Sequence, residues 1–188
     1  MKRFFLIVCL FFFCNNIFSQ NVSNKLIKEY EDTLRVIAEQ IMFAKKESDR
    51  IKANNGFIPI LKEVLSFDKS FKYPFDSLET LAILSPEDKS FRLFNWILRK
   101  DNGTYDYFCL IHYNNKKKKK FEIIELFDKS ETIRNEKFED LDSKNWYGAL
   151  YYEIIYIKKS GRKYYTLLGW DGNDGRSTKK IIEPIYFS

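Results

Sequence analysis

Cysteine, histidine and long apolar runs are what this 188-residue chain has least of. Two of its three cysteines, Cys9 and Cys14, fall in the first twenty residues. Without that segment Cys109 stands alone, so no internal disulfide forms and folding rests on burial of apolar surface. His112 is the only histidine. No second histidine is present to share a zinc site. A His-based triad would need a Ser or Cys beside His112 in space. Cys109 is a poor partner for it, because residues three apart in a strand point to opposite faces. Phosphate-binding glycine loops, Gly-x-Ser-x-Gly elbows and His-Glu-x-x-His pairs are all missing. The expectation is no catalytic set, no metal and no cofactor.

The one long apolar run is residues 4–13, behind Lys2 and Arg3 and ahead of a more polar exit at 15–20. Ten residues of helix span about 15 Å, half the hydrocarbon core of a bilayer. That is too short for a transmembrane anchor and right for a secretory signal peptide over residues 1–20, cut after Gln20. Lipidation at Cys14 is disfavoured, because Phe11, Phe12 and Phe13 replace the small residues a lipoprotein peptidase takes. The protein is therefore expected in the periplasm or at the cell surface. Losing Lys2 and Arg3 lowers the formal charge from +6 to +4. With acids and bases interspersed, that is a solvated surface, and no nucleic-acid partner is expected.

The remaining chain is the size of one domain and rich in core-forming aromatics, with 18 Phe and 12 Tyr in the whole sequence. Leu26, Tyr30, Leu34, Ile37, Ile41 and Ala44 recur at helical spacing, with Ser23 as N-cap. Asn54-Asn55-Gly56 reads as the helix stop, followed by a shorter helix over 59–65. Residues 21–72 thus form a helical hairpin. From 73 to 188 the period is two, and strands are expected at 78–84, 91–99, 105–113, 121–127, 149–158, 164–170 and 180–187. Asn102-Gly103 suits a hairpin turn. Residues 128–145 are charged and irregular. The fold class is α+β, with the helical hairpin packed on one side of an antiparallel, aromatic-rich β-sheet in the same single domain.

Two segments are candidate binding sites. Lys116, Lys117, Lys118, Lys119 and Lys120 could meet a polyanion or a membrane surface. A solvated hairpin tip explains them more simply, since lysine offers little bidentate geometry. The loop holding Trp170, Asp171, Asn173 and Asp174 is the better ligand-binding candidate. Calcium is disfavoured there: counting from Asp171, EF-hand positions five, six and twelve are Gly175, Arg176 and Ile182. Acid pairs such as Glu122 with Glu125 carry little signal among 26 acids. Trp146, Tyr147, Tyr151, Tyr152, Tyr164 and Tyr165 either fill a β core or present a stacking surface.

Three stretches carry a resemblance: 90–96 with its hairpin to 103–105, Trp146-Tyr147-Gly148-Ala149-Leu150-Tyr151-Tyr152, and 163–173 ending Gly169-Trp170-Asp171-Gly172-Asn173. Together they resemble a family of uncharacterised exported proteins from Bacteroidota, over roughly residues 75–185. That resemblance implies no activity, and no catalytic residue is carried over. Similar chains continue past Phe187, which implies that this one is a C-terminally truncated member. The functional expectation is an exported, non-enzymatic protein that binds an envelope or extracellular partner. The alternatives are an envelope hydrolase using carboxylates near Trp170, and a lysine-driven binder of membrane surfaces or polyanions.

Overall fold

A computed structural model describes residues 23–135 and 138–187, so the expected signal segment, with Cys9 and Cys14, lies outside the described residues. Ser23 caps helix α1 (Asn24–Phe43), its hydroxyl accepting the Leu26 N–H at 3.2 Å. The chain does not stop at Asn54-Asn55-Gly56. It breaks earlier, after Phe43, and α2 (Glu47–Leu65) runs through 54–56 and past Pro59. Long-range contacts explain the difference. The buried Arg50 guanidinium donates to the carbonyls of Ala44 (2.7 Å) and Lys45 (3.1 Å), fixing the turn between the helices. It also donates to the Arg99 carbonyl at 2.8 Å and meets Asp101 at 2.6 Å, tying that turn to the sheet. Asn54 stays helical because its Oδ1 accepts the buried Trp96 Nε1–H at 2.8 Å, replacing the local bonds that would end a helix.

After a short 3-10 helix (Asp68–Phe71) come β1 (Ala82–Leu84), β2 (Phe91–Arg99), β3 (Tyr105–Asn115) and β4 (Lys120–Phe127), antiparallel in the order β1-β2-β3-β4. The β2–β3 hairpin pairs Phe91 with Tyr113 and Arg99 with Tyr105, as the alternation and the Asn-Gly turn predict. The chain then crosses over through bends and isolated bridges to β5 (Leu150–Lys159), β6 (Arg162–Asp174) and β7 (Ser177–Ile185). These form a second, three-stranded sheet. The expected single sheet is thus two, stacked, and the molecule has three layers.

The alternation of β2 and β3 dictates the stacking. Phe94, Trp96, Leu98 and Leu110 face the helices and join Ile27, Leu34, Phe57 and Leu61 in one core. Phe91, Leu93, Tyr107, Cys109 and Ile111 face the other way and meet Trp146, Tyr151, Tyr165 and Leu167 in a second. Cys109 and His112 do lie on opposite faces. Cys109 is 1% exposed, and burial raises its thiol pKa, so it is an inert core residue. No helix among the described residues is long and apolar enough to cross a membrane.

Candidate functional site

A cleft of about 690 Å³ opens at the end of the molecule where the β2–β3 turn, the end of β4 and the β6–β7 turn converge. Asp171 lines it. The expected loop holding Trp170, Asp171, Asn173 and Asp174 is instead continuous strand: β6 runs to Asp174, Asp171 pairs with Lys179, and Asp174 pairs with Ser177 across a bulge. Asp171 points inward and is 6% exposed. Its Oδ1 accepts the Tyr107 hydroxyl at 2.9 Å and the Asn173 N–H at 2.7 Å, and its Oδ2 accepts the Tyr147 hydroxyl at 3.0 Å. Lys179 Nζ donates to the Tyr147 oxygen at 2.8 Å and lies 4.0 Å from Asp171. The Tyr107 oxygen in turn accepts the Gly172 N–H at 2.6 Å. Burial raises the pKa of both tyrosines, so they remain protonated donors at neutral pH.

Asp171 therefore acts as a clamp between the sheets and the crossover segment. Three donors on its two oxygens engage the carboxylate in holding these elements together. Asp174 is spent likewise, accepting the Arg176 and Ser177 N–H groups at 3.0 and 2.8 Å, and those bonds lower its pKa. Asn173 takes a left-handed φ of +46° and donates to Ser177 Oγ at 2.7 Å. Trp170 is half-buried, edge-on to Tyr105 with ring centres 5.3 Å apart. The four expected residues thus sit together, three of them engaged in shaping the turn.

Sequence reasoning passed over the opposite wall. Asp128, just past β4, accepts the N–H groups of Ser130 (2.9 Å) and Gly148 (3.2 Å) and so anchors the crossover beside the cleft. No local pattern marks it. Gly148 is required there, since a Cβ would fall 2.4 Å from the Asp128 carboxylate. Gly148→Ala is expected to cost about 1–3 kcal/mol by overpacking, read as a lowered midpoint in urea unfolding. Tyr105 and Tyr107, by contrast, follow from the period-two alternation of the strand expected at 105–113, which puts both on one face.

The lysine run forms the β3–β4 tip, exposed throughout. Lys118 and Lys120 reach Glu122 at 3.0 and 3.3 Å, while Glu125 pairs with Lys62 at 2.6 Å. Between the sheets lies a second polar chain. Trp146 Nε1–H donates to the Tyr151 oxygen at 2.7 Å, and the Tyr151 hydroxyl donates to Glu183. Among the described residues, no group of three or more His, Cys, Asp or Glu is placed to hold a metal ion.

No protein-family model, curated protein or solved structure matches the chain. The cleft walls combine aromatic rings (Tyr105, Phe108, Phe127) with charges that already have partners: Lys100 meets Asp106 at 2.7 Å and Glu131 at 3.8 Å. Such a surface offers stacking and hydrogen bonding, with five carboxylates against three lysines along its lining.

Proposed function

We propose that the protein is an exported, non-enzymatic binding protein of the periplasm or cell surface that takes an uncharged polar ligand, a carbohydrate or an extended peptide, in the cleft beside Asp171. The observation that carries this reading is the state of the cleft carboxylate. Asp171 is buried under Tyr107, Tyr147 and the Asn173 N–H, so it supports a rigid aromatic wall instead of presenting a reactive group. Rigid walls favour binding because little side-chain freedom is lost when the ligand arrives.

Export is checked by fractionating the native organism and sequencing the N-terminus, which should begin at Asn21 in the envelope fraction. Ligand binding is checked by titration calorimetry against glycans and peptides. Tyr105→Ala, which removes a half-buried ring from the wall, should weaken binding by about tenfold or more, the cost of one stacking contact of about 1.5 kcal/mol. Turnover of any glycan, ester or peptide that Asp171→Ala abolishes would replace binding with hydrolysis.

A further inference from the structure

The two strongly basic hairpin tips sit at the same pole, opposite the cleft. Pairing of Phe91 with Tyr113 puts the 116–120 tip at the β2 N-terminal end. The second sheet is tied to that same end. The Tyr165 hydroxyl bonds Ser90 Oγ and Asp88 at 2.8 and 2.9 Å, Lys163 meets Asp88 at 2.6 Å, and the Phe187 ring stacks on Tyr113 at 4.1 Å. The β5–β6 tip, bearing Lys158, Lys159, Arg162 and Lys163, therefore flanks the five lysines of the β3–β4 tip. Asp88 and Glu122 each answer part of this charge, and Glu87 and Lys89 in the adjoining turn offset one another.

Exposed apolar side chains adjoin the second tip. Ile157 and Tyr164 lie next to each other across β5 and β6 on the outer face of the three-stranded sheet, 56% and 50% exposed. Ile155, Ile182 and Tyr186 carry the apolar surface on, at 39%, 74% and 73%. An antiparallel sheet with one face in water normally shows polar residues there. Here Ile155, Ile157, Tyr164 and Ile182 stand at outward positions of the three strands, among Glu153, Thr166 and Lys180, with a cationic rim at the tip.

We propose that this pole is a docking surface for an anionic lipid membrane. Hydrated lysines match the diffuse charge of headgroups, while aliphatic and tyrosine side chains next to them match the headgroup–acyl boundary. A second copy of the chain is a poor occupant, because two such basic rims repel. A nucleic acid would leave Ile155, Ile157 and Ile182 unburied. The lysine run thus gains a role through a neighbouring tip about forty residues further along the chain.

The test is co-sedimentation of the purified protein with phosphatidylcholine vesicles, with and without phosphatidylglycerol, and a parallel titration with soluble polyphosphate. Binding to the anionic vesicles alone is expected. It should collapse between roughly 0.1 M and 1 M salt as the Debye length falls from about 10 to 3 Å. Replacing all of Lys116 to Lys120 with glutamine should weaken partition by more than about a hundredfold. The double variant Ile157→Ser, Tyr164→Ser should weaken vesicle binding while leaving polyphosphate binding as it was. Both variants change exposed side chains, and unchanged circular dichroism confirms that they fold. Equal binding to neutral vesicles, no binding to anionic ones, or vesicle binding that ignores the double variant would each overturn the proposal, the last in favour of a soluble polyanion.

Discussion

Asn95→Ala is expected to remove about 2–6 kcal/mol of stability, a large share of the 5–15 kcal/mol typical of a domain. Asn95 sits in the middle of β2, fully buried, on the face that meets the second sheet. Its Nδ2 donates to the Phe108 carbonyl at 2.8 Å and to the Ala149 carbonyl at 3.1 Å, and its Oδ1 accepts the Tyr151 N–H. The side-chain amide thus serves as a strand partner for the start of β5, which among the described residues has no strand paired on that side. Alanine would strand the Ala149 carbonyl and the Tyr151 N–H in a dry interface, at about 1–3 kcal/mol each. Asn95→Asp should also destabilise, since a carboxylate can still accept from Tyr151 but faces two carbonyl oxygens. Urea unfolding followed by circular dichroism gives the magnitude, and hydrogen exchange at Tyr151 gives the place. A loss below about 1 kcal/mol would mean that the start of β5 finds other partners, and the amide would not be what joins the sheets.

That bond also shows where the sequence stops being readable. The Ser23 cap, the β2–β3 hairpin and the opposite phases of Cys109 and His112 depend on neighbours a few residues away, and period and turn chemistry recover them. The helix through Asn54 depends on Trp96, 42 residues on, and the turn before it on Arg50 reaching Arg99. Local signals for a stop at Asn-Asn-Gly were real and were outweighed by tertiary contacts. The division into two sheets rests on residues 128–149, which have no periodicity, and on the pairings Asn95 and Asp128 make across them. Asp171 is legible because Asp, Asn and Gly cluster there. Its role is not, because the hydroxyls that claim it come from Tyr107, 64 residues away, and Tyr147, 24 away.

His112 predicts the sharpest response to pH. It is 0% exposed, and neither Nδ1 nor Nε2 has a hydrogen-bond partner among the described residues. The ring lies edge-on between Phe71 of the 3-10 helix, at 5.0 Å, and Phe121 of β4, at 5.5 Å, with Arg92 directly across on β2. Burial first, and then the Arg92 charge, lower its pKa from 6.5 to about 4. Arg92 itself titrates only near 10 and stays charged throughout, donating to the carbonyls of Ser70, Phe71, Tyr73 and Pro74. Between pH 6.5 and 4 the unfolded chain binds a proton that the folded chain refuses, so stability falls as pH falls. The loss is absent above 6.5, about 2 kcal/mol at pH 5, and complete at about 3 kcal/mol below 4. Glu183, whose pKa burial raises, acts in the opposite sense. It is common to wild type and variant, so their difference isolates the histidine. His112→Phe should hold or raise stability at pH 7, since it removes two unpartnered polar atoms from an aromatic site, and should flatten the curve between pH 6.5 and 5. Identical slopes in that window for the two proteins would mean that the imidazole gains a proton or a water inside the fold. Its position behind the 3-10 helix, held in place by Arg92, would then be a tolerated polar site and not the weak point under acid.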